Sequence, residues 1–253
     1  MPLSNSCKEL LKNITPFEIS EEIMQSFERL YERTLFVNSA INITAIFNEE
    51  EFIVKHIADS ISVLSDERLK GDLCGGKWID VGSGGGFPAL PVKIMRPGLD
   101  ITLLDSTKKK IDFLEETGKL FGFEKYNTLV GRAEEFANTA LRERYDFVSA
   151  RAVAELSVLS ELCIPFLKKG GVFFAFKGKK AFEELELANS AINKLGAEVE
   201  EVTSVDFSER LKTDDDKLNE LLSVKRYIIK IRKVQKTPSL YPRKYAAIVK
   251  KPL

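Results

Sequence analysis

The residues best suited to chemistry cluster between Trp78 and Pro88, where the apolar run Trp78-Ile79 leads through Asp80 into Gly82-Ser83-Gly84-Gly85-Gly86-Phe87. Glycines in such a turn allow φ > 0 and admit a ligand that a Cβ would block. The unpaired N–H groups of a helix starting at Pro88 favour an anionic or electron-rich ligand group. Three readings compete: a methyl-donor nucleoside, a dinucleotide, or a turn built for packing. The nicotinamide fingerprint has glycines at relative positions one, three and six. Gly82 and Gly84 fit the first two, but Phe87 takes the sixth place and the third glycine is Gly86, in the fifth. A Walker-type phosphate loop is excluded because no Gly-Lys-Ser/Thr follows.

Other candidates stand where apolar runs end. Asp105 closes Ile101–Leu104, Ala133-Glu134 follows Gly131, Arg151 follows Tyr145–Ala150, and Lys177 closes Val172–Phe176. Arg151 reads as a functional side chain in the ligand crevice, with a salt bridge as the competing reading. Lys177 is placed to meet substrate phosphate or base. Lys108, Lys109 and Lys110 open a helix, where acids are the usual choice, so the cluster points to RNA or to a plain solvated face. His56, the only histidine, shares a helix with Asp59 and Ser60 and reads as a local hydrogen-bonded cluster or as pocket floor. Asn42, His56 and Asp59 are the residues expected to shape the pocket. Cys163, among Leu162, Ile164 and Leu167, reads as core, which removes carbon-5 pyrimidine chemistry and its nucleophilic cysteine.

These residues need elements to hold them. Residues 7–69 read as helical: Ile19, Ile23, Phe27, Leu30 and Thr34 form one apolar stripe, and Phe52, Ile53, Ile57, Ile61 and Leu64 a second, with Asn42-Ile43-Thr44 between. The spacing predicts a helical cap over residues 1–72 with its own small core, then a loop at Gly71–Gly76. Strands follow at Trp78–Val81, Asp100–Leu104, Tyr126–Val130, Tyr145–Ala150, Val172–Lys177, Ala197–Phe207 and Val224–Lys233. Helices separate them at residues 88–95, 108–120, 156–167 and 182–195. Ser208–Glu220 shows no apolar periodicity, so the last two strands are expected to form an antiparallel hairpin. This alternation predicts an α/β core over residues 73–237, a mostly parallel, doubly wound seven-stranded sheet with an antiparallel last strand. Ligands of such sheets lie beyond the C-terminal strand ends, where strand order reverses. Residues 238–253 read as a basic, partly packed tail.

The chain has 253 residues, 44% hydrophobic and 30% charged, an ordinary balance for a globular protein. No apolar run approaches the roughly 20 residues of a membrane span, and no secretory signal is visible. Three cysteines without CxxC or zinc-ligand spacing read as reduced thiols, so a cytoplasmic protein is expected. Lys and Arg balance Asp and Glu at 38 each, yet residues 221–253 hold ten basic residues and no acid. Such an end suggests a polyanionic partner, with a basic terminal strand plus solvated tail as the alternative.

Asp80-x-Gly82-x-Gly84-x-Gly86 resembles motif I of S-adenosylmethionine-dependent methyltransferases with the Rossmann-like fold. In that resemblance the loop backbone faces the methionine end of the cofactor, and Asp105, at the end of the second strand, takes the ribose hydroxyls. The Asn/Asp-Pro-Pro-aromatic run of exocyclic amino-methyltransferases is missing; Ser149-Ala150-Arg151-Ala152-Val153 stands there. Five further stretches occur in order: Lys55-His56-Ile57-Ala58-Asp59-Ser60, the turn through Phe87-Pro88, Leu103-Leu104-Asp105-Ser106, Gly131-Arg132-Ala133-Glu134-Glu135 and Ser149-Ala150-Arg151-Ala152. With Tyr241-Pro242-Arg243-Lys244 and Lys250-Lys251-Pro252 they make the chain similar, over nearly its whole length, to the RsmG or glucose-inhibited division protein B family. The resemblance implies methylation of N7 of one guanine in the decoding-site region of 16S ribosomal RNA, with S-adenosyl-L-methionine as cofactor and 16S RNA or the small ribosomal subunit as partner, by a monomer without a membrane. It implies cofactor contacts at Gly82, Gly84, Phe87, Ala133, Glu134 and Arg151, with Asp105 added from the ribose argument, and no acid–base residue. RNA contacts are expected at Arg151, Lys177, Lys109, Lys110, Arg243 and Lys244. Truncation after Pro238 is expected to weaken RNA binding and spare cofactor binding. Three departures stand out: Ala89 where the family commonly has glycine, Val37 where tryptophan often precedes Asn38, and Lys55 for the usual arginine, which keeps the charge but loses the planar fork.

Overall fold

In a computed structural model describing residues 2–69 and 76–253, seven strands form one sheet in the order β3-β2-β1-β4-β5-β7-β6. They are β1 (Lys77–Val81), β2 (Asp100–Asp105), β3 (Tyr126–Val130), β4 (Tyr145–Arg151), β5 (Leu167–Lys177), β6 (Ala197–Val205) and β7 (Arg226–Lys233). β1 to β5 pair in parallel, while β7 runs antiparallel to both β5 and β6, the hairpin expected from the lack of apolar periodicity between the last two strands. Strand order reverses between β1 and β4, so the turns after these two strands flank the crevice in which α/β sheets bind ligands.

The sheet is covered on both faces, and adjacent β1 residues serve opposite sides. Trp78 belongs to one buried cluster and Ile79 to the other, as the two-residue period of a strand requires. On the first face lie α1 (Asn5–Ile14), α2 (Glu21–Ile41), α3 (Glu49–Glu51) and α4 (Asp59–Ile61). A π-helical stretch, Phe52–Ala58, joins the last two into one rod. Ser20 caps α2, accepting from the Ile23 N–H, and α2 buries Phe27, Leu30 and Thr34, the expected stripe. The cap has no separate core: Phe27, Phe52 and Ile57 share one cluster with Trp78, Leu90 and Phe174 of the sheet layer. The cap–sheet boundary and most of the expected Gly71–Gly76 loop, Cys74 included, lie outside the described residues.

The helices of the core are α5 (Ala89–Met95), α6 (Lys108–Phe121), α7 (Ala133–Phe136), α8 (Leu156–Cys163), α9 (Ala181–Lys194), α10 (Asp216–Leu222) and α11 (Tyr245–Lys250). Three depart from the sequence reading. Helix α8 stops at Cys163 because Pro165 follows, and a 3-10 turn, Ile164–Phe166, delivers the chain into β5 at Leu167. Strand β5 therefore includes Gly170-Gly171, which are no helix stop; a Cβ on Gly171 would lie 2.8 Å from the Asp146 carbonyl oxygen. Helix α10 forms inside the charged run because the Asp215 side chain accepts from the Lys217 and Leu218 N–H groups. The tail is partly packed, as expected, and adds α11: Ile248 is fully buried while most of its neighbours are exposed, and Arg142 donates to the carbonyls of Thr237, Pro238 and Tyr241. Among the described residues no helix is long and apolar enough to cross a membrane.

Candidate functional site

The glycine turn after β1 is fixed from both sides. Gly82 and Ser83 donate their N–H groups to the Leu104 carbonyl at 2.8 and 3.0 Å. Gly84 N–H donates to Asp105 Oδ2 at 2.9 Å, and Thr107 N–H to Asp105 Oδ1 at 2.8 Å. Asp105 thus staples the turn to the end of β2 before it meets any ligand. Gly82 has φ +73°, and a Cβ there would stand 2.5 Å from Val153 Cγ2; Gly86 has φ +89°, and its Cβ would stand 2.4 Å from Leu90 Cδ1. Both positions require glycine for conformation and for close approach.

Beside this turn lies a cavity of about 260 Å³, lined by Gly82, Asp105, Lys110, Ala133, Glu134 and Tyr245 among others. Glu134 is buried; its Oε1 accepts from Arg132 Nε at 3.3 Å, while Oε2 has no partner. The Arg132 guanidinium stands 3.7 Å from the centre of the Tyr245 ring, so the tail helix forms one wall. An unpartnered buried carboxylate oxygen requires a donor, and Asp105 offers a second carboxylate at the cavity edge. Glu134, Asp105 and the open turn fit a nucleoside donor, whose exocyclic amine and ribose hydroxyls supply such hydrogens. Beneath the turn, Trp78 Nε1 donates to Ser149 Oγ at 2.8 Å, and Ser149 Oγ donates to Asp80 Oδ1 at 2.6 Å. Burial pushes the Asp80 carboxyl up to about 6.

Phe87 and Arg151 lie outside this cavity, where they join a network with the cap. The His56 ring stacks on Phe87 with centroids 4.1 Å apart and planes 5° from parallel. Arg151 donates through Nη1 to Lys55 O at 2.7 Å and Asp59 Oδ2 at 3.0 Å, and through Nη2 to His56 Nδ1 at 3.0 Å. A guanidinium can only donate, so Nδ1 is the acceptor and the ring proton sits on Nε2, which donates to Thr44 Oγ1 at 2.8 Å. Burial, then the charges of Arg151 and Lys55, hold the His56 pKa down at about 3. His56 is a fixed neutral ring, and Arg151 forms the salt bridge that the sequence left as the alternative.

The sign of the resulting pH dependence follows from linkage. Unfolded His56 takes up a proton below its ordinary value of 6.5 while the folded ring refuses one until about 3. Its stabilising contribution is therefore complete above 6.5 and is lost as pH falls from there toward 3. Asp80, raised from 3.8 to about 6, acts oppositely, favouring the fold at low pH and losing that contribution as pH rises through 6. Comparison with His56→Gln cancels the Asp80 effect. The stability advantage of the wild type over this variant should shrink by about 2 kcal/mol between roughly pH 7.5 and pH 5, read from urea unfolding; a constant gap would contradict a neutral buried His56.

Other expected site residues fall elsewhere. The Asn42 side chain is exposed and its backbone, at φ +46°, caps α2. Asn38 shapes this corner instead: its Nδ2 donates to Thr44 O and its Oδ1 accepts from Thr44 N–H, both at 2.8 Å. A polar residue continuing the apolar stripe of α2 was the available signal. Lys177 donates to Ala154 O at 2.7 Å and Glu184 Oε2 at 2.6 Å, so it is an internal tie and not a free phosphate contact. Arg243 is likewise engaged: Nε and Nη2 donate to Glu161 Oε1 and Oε2 at 2.9 and 2.6 Å, on a fully buried carboxylate. Lys109 and Lys244 remain exposed, and Lys110 borders the cavity.

A doubly wound sheet with a glycine turn at its switch point, facing a nucleoside-sized cavity with two carboxylates, defines an S-adenosylmethionine-dependent methyltransferase of the Rossmann-like class. The solved structure of geranyl diphosphate methyltransferase in complex with S-adenosylmethionine matches the fold with a TM-score of 0.50 at 12% identity, covering 76% of this chain and 93% of that one. The chain belongs to the rRNA small subunit methyltransferase G (GidB) family, whose family model matches residues 23–212. A ribosomal RNA small subunit methyltransferase G from Clostridium novyi (strain NT) is 44% identical over 217 residues, 85% of this chain and 83% of its own length. One from Alkaliphilus oremlandii (strain OhILAs) is 39% identical over 254 residues, spanning both chains completely.

Proposed function

We propose that this chain transfers the methyl group of S-adenosylmethionine to N7 of a guanine in 16S ribosomal RNA, acting as a cytoplasmic monomer on the RNA or the small subunit. The observation that carries this reading is the match to the rRNA small subunit methyltransferase G family over residues 23–212, in a chain whose donor cavity retains Gly82, Asp105, Ala133 and Glu134. The cofactor, when bound, would supply an electrophilic methyl on a sulfonium: the in-plane lone pair of guanine N7 can bond to that carbon in line as the carbon–sulfur bond breaks and a neutral thioether leaves, with no proton lost from the base. The residues of the chain therefore bind and orient: Glu134 Oε2 and Asp105 would hold the nucleoside, and the Gly82–Gly86 turn would admit its close approach. No general base is required, which agrees with a His56 ring held neutral and hydrogen-bonded at both nitrogens. Alignment and electrostatics are the available sources of rate.

The test is radiolabelled methyl transfer to small subunits from a strain lacking the modification, with the modified base mapped. Label at guanine N7 of 16S RNA is expected, with a rate that varies little around neutral pH. Label in protein or small molecules alone, or a steep pH dependence abolished by one acid or base substitution, would overturn the respective part of this reading.

A further inference from the structure

A second concavity, of about 600 Å³, opens on the other side of the turn after β4. Ala152 and Val153 line both it and the donor cavity. Ala152 is held at φ +56°, and Val153 covers Gly82 so closely that a Cβ there would meet its Cγ2 at 2.5 Å. The partition between the two cavities at this point is thus one short turn and a valine side chain. A methyl acceptor must reach within roughly 3–3.5 Å of the donor carbon, so the acceptor has to occupy space next to the donor cavity, and this groove shares two lining residues with it. Its volume lies within the roughly 300–1,000 Å³ of ligand sites, large enough for an unpaired base with its sugar.

The groove is lined by the acids Asp59, Glu155 and Glu184, of which Glu155 is exposed, by Lys55, which pairs with Glu51 at 2.6 Å, and by further cations of two kinds. Arg151, Lys177 and Arg226 lie on its floor, and each is engaged with the chain: Arg151 on Asp59 at 3.0 Å, Lys177 on Glu184 at 2.6 Å, and Arg226 near Asp59 at 3.9 Å with its Nη1 donating to Val224 O at 2.8 Å. Lys180 and Lys225, at the rim, are exposed, and among the described residues their side chains have no ion-pair or hydrogen-bond partner. Unpaired lysines above a floor whose own cations are satisfied are suited to a polyanion's phosphates, which bind by charge rather than by a fixed fork.

We infer that this groove receives the acceptor nucleotide of a single-stranded RNA segment, with the base against the Ala152-Val153 partition and the flanking phosphates on Lys180 and Lys225. The inference rests on the proposed RNA-methylating function and adds the place and the contacts. It moves the main RNA contacts away from Lys177 and Arg243, which the fold consumes, to two lysines that the sequence pattern did not single out.

The experiment measures binding of the double variant Lys180→Glu/Lys225→Glu to unmodified small subunits over about 50–200 mM salt, with Lys194→Glu, an exposed lysine on α9 that does not line the groove, as control. Affinity is expected to fall at least tenfold, and the slope of log affinity against log salt to drop by about 1.4, the value for two single-strand phosphate contacts. Cofactor affinity and the control should be unchanged. Unchanged RNA affinity, or an equal loss in Lys194→Glu, overturns the groove assignment. Failure of the wild type to label any RNA would instead overturn the proposed function, so the two failures are distinguishable. Ultraviolet cross-linking of the bound wild type gives a second readout: adducts on peptides covering residues 151–155 or 176–180 support the groove, and adducts confined to other faces contradict it.

Discussion

Replacement of Arg151 by alanine should lower the thermal midpoint by roughly 6–12 °C and abolish most methyl transfer. Arg151 ties the end of β4 to the cap through Lys55 O, His56 Nδ1 and Asp59 Oδ2. Its side chain is 16% exposed and that of Asp59 13%. Removing one partner of a buried ion pair costs about 3–5 kcal/mol, because the remaining charge stays desolvated. Here Arg226 remains 3.9 Å from Asp59 and softens the loss, which places the expected cost near 3 kcal/mol; in a chain of this size each kcal/mol is worth roughly 2–4 °C. The variant Arg151→Lys keeps the charge but cannot serve three acceptors with one planar fork, so it should recover only part. A double-mutant cycle with Asp59→Asn separates the pair from the remaining contacts: the combined loss should be clearly smaller than the sum, and strict additivity would show that the ion pair contributes nothing.

Arg243→Ala should be at least as damaging, for a reason unconnected with RNA. Glu161 is fully buried, and the Arg243 side chain and backbone N–H supply its hydrogen bonds at 2.6–3.2 Å. Without the guanidinium the carboxylate is left buried and unpaired, at a cost of about 4 kcal/mol or roughly 8–16 °C. Two residues further on, Tyr245 forms a wall of the donor cavity over Arg132. Release of this segment should weaken cofactor binding by about tenfold or more in calorimetric titration. Truncation after Pro238 should then impair cofactor and RNA binding together, contrary to the sequence-based expectation of a separable RNA arm. Adding Glu161→Gln to Arg243→Ala removes the stranded charge and should restore part of the stability; no recovery would show that the loss arises from something other than the buried carboxylate.

These two arginines show where the sequence was legible and where it was not. The Trp78–Val81 strand, its glycine turn and the acid after β2 could be read locally, because a two-residue apolar period and a turn that only glycine adopts are properties of neighbouring residues. The antiparallel end of the sheet followed from the lack of apolar periodicity in residues 208–220, too little to mark a crossover helix. Helix α10 escaped because its start is set by the side-chain cap of Asp215 and not by apolar periodicity. The tail is partly packed, as expected, but the engagement of Arg243 escaped notice because its basic neighbours resemble a solvated arm. The opposing signal was Glu161, a lone charge within the apolar run Leu156–Cys163, which had to find a cation.

The alternation of strands and helices, the switch-point turn and the class of cofactor that its displaced glycine admits are written in local sequence. Which charges remain available to a partner is settled by folding alone. Arg226, Lys230, Arg232, Lys233 and Arg243 of the basic C-terminal stretch are engaged with acids elsewhere in the fold, whereas the Lys225 side chain, at the rim of the groove, has no ion-pair partner among the described residues. The physical reason is range. Backbone conformation is governed by steric and hydrogen-bonding preferences over a few residues, but a buried charge must be neutralised by whatever lies beside it in space. For Arg151 and Arg243 those partners are 92 and 82 residues away in the chain.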